Sequence, residues 1–101
     1  MDGTLNFSQN QNIEVNFRKT EIMIKIETLR CFVAVAQSGN LADAALKLGR
    51  STAAVSMKLK QLETHLDGRL FEAERKSVLT ALGAFTLEEA IRELSHFDRT
   101  V

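Results

Sequence analysis

From residue 25 onward, apolar residues recur with the spacing of a helix. Leu29, Phe32, Val33 and Ala36 fall at i, i+3, i+4 and i+7 and share one face. Ser38-Gly39 closes that helix, because Gly39 takes the left-handed conformation past a helix end at little cost. Asn40 is a good N-cap for a second, short helix over 41–48, with Leu41, Ala44, Ala45 and Leu48 on one side. Gly49 stops it, and Ser51 caps a third helix over 52–65 whose inner stripe is Val55, Leu59, Leu62 and Leu66. Asp67-Gly68 marks a turn. Leu70-Phe71 and Val78-Leu79 then flank a polar 72–77, the pattern of a short hairpin with a charged tip. A last helix is predicted over 81–97, with Ala84, Leu87, Ile91 and Leu94 as its stripe.

Residues 1–22 lack this order. They are rich in Asn and Gln, with Gly3 and Ser8, and read as a flexible extension. Only Ile13-Glu14-Val15-Asn16-Phe17 alternates, and an edge strand there is the competing reading. Met23 opens the helical pattern and is a candidate start both of the ordered domain and of the natural reading frame.

Length and composition set the class. The chain has 101 residues, 45% hydrophobic and 26% charged, which suits one domain with a packed core. No apolar run approaches the ~20 residues that span a membrane, and no signal peptide opens the sequence. The single cysteine, Cys31, excludes an internal disulfide framework and a cysteine-based zinc site, and a cytoplasmic setting is expected. His65 and His96 lie too far apart in sequence to form a metal-binding pair. No nucleophile–base pair, carboxylate pair or phosphate loop stands out, so an enzyme is not expected, nor a cofactor or metal.

The net charge of zero hides an asymmetry. Residues 47–76 carry Lys47, Arg50, Lys58, Lys60, Arg69, Arg75 and Lys76 against Glu63, Asp67, Glu72 and Glu74, a net +3 that the ends of the chain cancel. A basic stretch of this size is a weak footprint for a polyanion, and charge alone favours a solvated mixed-charge surface.

Two short helices joined by a glycine-containing turn and followed by a hairpin follow the order of a winged helix-turn-helix. The fold predicted is mainly α: a three-helix core, a short β-hairpin wing, and a C-terminal linker or dimerisation helix. The domains are then 1–22 as an extension, 23–80 as the winged helix-turn-helix, and 81–101 as the linker helix. With Val55, Leu59 and Leu62 holding the third helix from behind, its outer side is Thr52, Ala53, Ser56, Met57 and Lys60. Short side chains at the start let a helix end approach a groove closely, and its free N–H groups attract phosphate. Ser51, Thr52 and Ser56 can donate to phosphates or base edges, and Arg50, Lys58 and Lys60 suit the flanking phosphates. Arg75 and Lys76, placed at the hairpin tip, could reach an adjacent backbone or minor groove.

Residues 23–87 resemble the N-terminal DNA-binding domain of LysR-type transcriptional regulators. The resemblance is carried by Leu29-Arg30-Cys31-Phe32-Val33-Ala34-Val35-Ala36, by Ser38-Gly39-Asn40-Leu41-Ala42-Asp43-Ala44-Ala45, and by Leu48-Gly49-Arg50-Ser51-Thr52-Ala53-Ala54-Val55-Ser56. It continues through Leu62-Glu63, Leu70-Phe71-Glu72 and Leu79-Thr80-Ala81-Leu82-Gly83. It implies that the third helix enters the major groove of double-stranded DNA with Ser51, Thr52, Ala53, Ser56 and Met57. It further implies that the hairpin touches the flanking backbone and that the last helix pairs with its copy in a homodimer. Three departures stand out: Thr52-Ala53 replaces the family's frequent Gln-Pro, Ala73 replaces the wing arginine, and the wing is one residue short. Family members continue into an effector-binding domain of two α/β lobes. This sequence ends at Val101, which leaves a fragment, a truncated product and a stand-alone domain all open, and no small-molecule effector site is expected within it.

The bland readings differ by residue. Cys31 reads as a small packed helix residue, and His65 and His96 as surface residues. Ala84, Leu87, Ile91 and Leu94 could be internal core, yet a terminal amphipathic helix has little left to pack on in so small a domain, which favours a dimer seam. The function expected is a sequence-specific DNA-binding transcriptional regulator module. The alternative is a protein-interaction module that heterodimerises with a full-length regulator and blocks it.

Overall fold

The computed structural model describes residues 25–73 and 75–100, with side chains as far as Asp98. The expected extension 1–22, its alternating segment and Met23 lie outside the described residues. Helix α1 is seen over 25–38, followed by α2 (Leu41–Leu48), α3 (Thr52–Leu66), β1 (Phe71–Glu72), β2 (Arg75–Leu79) and α4 (Ala81–Thr100).

The helix ends form where the cap chemistry places them. Gly39 has φ +80, and the Asn40 side chain accepts a hydrogen bond from the Asp43 N–H at 2.7 Å. Gly49, at φ +67, ends α2, and the Ser51 hydroxyl accepts from the Ala54 N–H at 3.1 Å to open α3. At the far end of α3 the left-handed position falls on Asp67, φ +56, a residue type whose short polar side chain tolerates it.

Helix α1 is buried over more of its circumference than a single stripe predicts. Ile26, Leu29, Cys31, Phe32, Ala34 and Val35 are all buried, whereas Val33 and Ala36 are only partly so. The reason is its central position. The Phe32 ring meets Phe71 of β1 edge-on, with centroids 5.7 Å apart. On another side, Lys25 pairs with Glu93 at 3.5 Å and Arg30 with Asp98 at 2.7 Å, tying α1 to α4.

Two expectations change in the second half of the chain. The hairpin turns earlier than the polar run suggests. Phe71 pairs with Leu79 and Glu72 with Arg75, with an irregularity between the two pairs. Arg75 and Lys76 therefore begin β2 and do not form the tip. Ala73, in the turn, has φ +48. In α4, Leu94 is 8% exposed and belongs to the chain's own core together with Ala90. Thr86 is buried beside them, and Leu82, Leu87 and Phe97 pack at the margin. The helix lies back on α1, so it has an internal face that a count of core-forming segments does not reveal.

Thr80 fixes the start of α4. Its hydroxyl donates to the Arg69 carbonyl at 2.6 Å and accepts from the Gly83 N–H at 2.9 Å. Glu63 of α3 accepts from the Leu70 N–H at 2.9 Å, which anchors the strand entrance to the third helix.

Candidate nucleic-acid interface

The turn Gly49-Arg50-Ser51 sets α3 against α2. Ala44 and Ala45 are small and buried, so the two helices approach closely, and Val55 and Leu59 of α3 are buried in the same core as Phe32 and Val35 of α1. The opposite side of α3 faces solvent. Thr52, Ala53, Met57 and Lys60 are exposed, Met57 at 62%, and Ser56 is half-buried among them. The first turn of α3 contains no acidic residue. The Thr52 and Ala53 N–H groups lie in the first turn, where no helical carbonyl stands four residues before them to accept, so the partial positive charge of the helix end is left for an external anion.

The basic residues are used unequally. Lys60 is exposed. Arg75 is exposed at the start of β2 opposite Glu72. The Lys76 ammonium sits 5.5 Å from the centroid of the Phe71 ring and is half-buried. Lys58 is half-buried, and the Cys31 thiol feels its charge. The Arg50 guanidinium is paired with the Glu27 carboxylate of α1.

Cys31 is buried, and its thiol is pushed up by burial and then by Glu27, against smaller opposing effects of Arg50 and Lys58. It is packed in the core and protonated at neutral pH. His65 and His96 are exposed.

The stripe expected to pair two copies is divided by the structure. Leu94 faces inward and Leu87 is half-buried, whereas Ala84 and Ile91 are exposed, Ile91 at 43%. Sequence periodicity missed Phe85, which is 63% exposed on α4. The signal was present: a large aromatic residue one position off the stripe. Among the described residues, no group of three or more His, Cys, Asp or Glu side chains is placed to hold a metal ion. No helix of those residues is long and apolar enough to cross a membrane.

This arrangement recurs in known proteins. Residues 26–84 match the model of the family described as bacterial regulatory helix-turn-helix protein, lysR family. The HTH-type transcriptional activator AllS of Klebsiella pneumoniae is 40% identical over 77 residues, covering 75% of this chain and 28% of its own length. The HTH-type transcriptional regulator TfdS of Cupriavidus pinatubonensis is 42% identical over 72 residues, 70% of this chain and 24% of its own. The chain thus spans about a quarter of the length of the regulators it matches. Among solved structures, the DNA-binding domain of CbnR in complex with DNA superposes with a TM-score of 0.69 at 36% identity, covering 74% of this chain and 87% of that one. The DNA-binding domain of BenM on its catB site 1 DNA gives 0.70 at 32% identity, covering 74% and 84%. With its capped α2–turn–α3 unit, its short wing and the matched residues 26–84, this chain belongs to the lysR family of bacterial regulatory helix-turn-helix proteins.

Proposed function

We propose that this chain attaches a transcriptional regulator to double-stranded DNA, in a sequence-specific manner, by placing the start of α3 in the major groove. The observation that carries this reading is the outward face of α3. Thr52, Ala53 and Met57 are exposed beside a helix N-terminus whose first turn holds no acidic residue, while Val55 and Leu59 hold the helix from behind. Ser51 and Ser56 add short donors. Lys60 and Arg75 are exposed cations suited to flanking phosphates, and Lys58 and Lys76 are half-buried. The solved CbnR and BenM domains of the same architecture are complexes with DNA, which supports it further.

Pairing through the exposed side of α4, around Ala84, Phe85 and Ile91, would place two α3 helices on one face of the duplex. A two-fold pair calls for an inverted-repeat site with half-sites about one helical turn, or a multiple of it, apart. Residues 23–80 would form the DNA-binding unit and 81–101 the pairing helix. With chromosomal DNA as partner, the site of action is cytoplasmic. The relatives are described as an activator and a regulator, which favours DNA attachment over the blocking-module alternative.

Fluorescence anisotropy of a labelled duplex across a salt series tests the proposal. Binding at low salt that weakens linearly in log–log form as salt rises is the expected result, because phosphate contacts release counterions. Absence of binding at low salt overturns it.

A further inference from the structure

Arg50 stands one residue before the cap of α3, among the basic residues expected to meet flanking phosphates. The structure uses it otherwise. Its backbone N–H donates to the Ala45 carbonyl at 2.9 Å, which closes α2 and fixes the root of the side chain. The guanidinium then turns back to the Glu27 carboxylate on α1, and the pair is half-exposed at the molecular surface. The charges felt at the Cys31 thiol of the same helix are those of Glu27, Arg50 and Lys58.

We propose that Glu27 is a positioning residue that limits sequence-independent DNA attachment: it holds Arg50 against α1 as a strap across the turn into α3 and so withholds one cation from the phosphate backbone. The inference rests on the DNA-binding reading above and adds to it which basic residue does not contact phosphate, and why. A phosphate contact strengthens binding to every sequence alike and carries no base information. Removing one from the footprint therefore lowers the background against which Thr52, Ser56 and Met57 must discriminate. What decides the function is the ratio of specific to non-specific affinity. The net +3 of residues 47–76 overstates the charge offered to DNA, since Glu27 of α1 lies outside that stretch and neutralises part of it.

The experiment measures binding to a mixed-sequence duplex across salt for the whole chain and for Glu27→Gln, Arg50→Gln and the double variant. Exchanging the Glu27 carboxylate for an amide keeps the size of the side chain and removes the charge that holds the guanidinium. Freed, Arg50 adds about one phosphate contact. The log–log salt slope of Glu27→Gln is then steeper by about 0.9, and binding is roughly tenfold tighter near 50 mM salt. Arg50→Gln alone leaves the slope at the wild-type value, and the double variant returns to it. A Glu27→Gln slope equal to wild type overturns the inference. So does an Arg50→Gln slope shallower by about 0.9, which would mean that Arg50 leaves Glu27 for a phosphate in the complex. The Arg50→Gln arm decides the matter even if Glu27→Gln folds poorly. The wild-type arm tests the DNA-binding reading itself: no low-salt binding there overturns both, whereas wild-type binding with an unchanged Glu27→Gln slope overturns only the strap.

Discussion

Gly83 stands against the carbonyl of Leu70 so closely that a β-carbon built on it would lie 2.0 Å from that oxygen. The contact lets the first turn of α4 rest on the entrance to β1, with the Thr80 hydroxyl bridging Arg69 and Gly83. The Leu79 Cδ2 atom, 3.0 Å from that β-carbon, can move aside, but the nearest obstacle is backbone and cannot. Gly83→Ala is expected to cost about 2–3 kcal/mol, the range of a forced core insertion, and to lower the melting temperature by more than about 10 °C. Gly68→Ala is the control. Its added methyl meets the Leu82 Cδ2 atom at 2.6 Å, the end of a side chain that can rotate away. It should cost clearly less. Equal losses for the two variants in thermal melts would show that the Leu70 contact is not what requires glycine.

Ala73 in the wing turn has φ +48, where an L-residue with a β-carbon is strained by about 1–2 kcal/mol. Ala73→Gly relieves that strain but loosens the unfolded chain by about 0.5–1 kcal/mol. The net expectation is a gain of about half a kcal/mol in urea unfolding, without change in the helical signal. A loss of stability would mean that the unfolded-state term dominates.

The buried thiol gives a pH prediction. Burial and Glu27 raise the folded Cys31 above its ordinary range, so the folded state holds its proton to higher pH than the unfolded state does. The unfolded chain then binds fewer protons between the two values, and stability falls as pH rises through that window. Below the ordinary thiol range of about 8.5 the thiol contributes no slope. Cys31→Ala should remove this part of the alkaline loss, seen as a shallower fall of unfolding free energy than wild type above that range. The native thiol should also react slowly with a disulfide reagent at neutral pH and rapidly once unfolded.

Most of the fold was legible because its boundaries are set by local chemistry. Asn40, Gly49, Ser51 and Asp67 act within a few residues of themselves, and α2 and α3 begin where their caps predict. What failed was tertiary. The charged run 72–77 looks like one tip, but its turn is set by strand pairing, which brings Arg75 opposite Glu72 and leans Lys76 on Phe71. The α4 stripe is split between a face that α1 covers and one it leaves exposed, a division that periodicity does not show. Arg50 read as free because its partner, Glu27, is distant in the chain.

The division of α4 lets its part in stability and the proposed pairing be tested apart. Leu94 is buried against the core, and Leu94→Ala should cost about 2–4 kcal/mol by leaving a cavity. Phe85 and Ile91 face outward, so Phe85→Asp and Ile91→Asp should leave the monomer's helical signal intact while shifting it from pair to single copy in sedimentation. A Phe85→Asp protein that keeps its oligomeric state would move the pairing surface off this face.

The face of α3 offers two kinds of residue whose loss should read differently. Lys60 is an exposed cation two turns from the helix start, suited to phosphate and blind to sequence. Lys60→Ala should weaken all duplexes by a similar factor and make the log–log salt slope shallower by about 0.9. Thr52 is uncharged and sits in the first turn, where its hydroxyl can meet a base edge and its methyl a thymine. Thr52→Ala should leave the salt slope unchanged and instead alter the order of preference in selection from a randomised duplex pool, by about 1–3 kcal/mol at one base pair. Should Thr52→Ala change slope but not preference, Thr52 contacts phosphate, and the base-reading part of α3 begins at Ser56 and Met57.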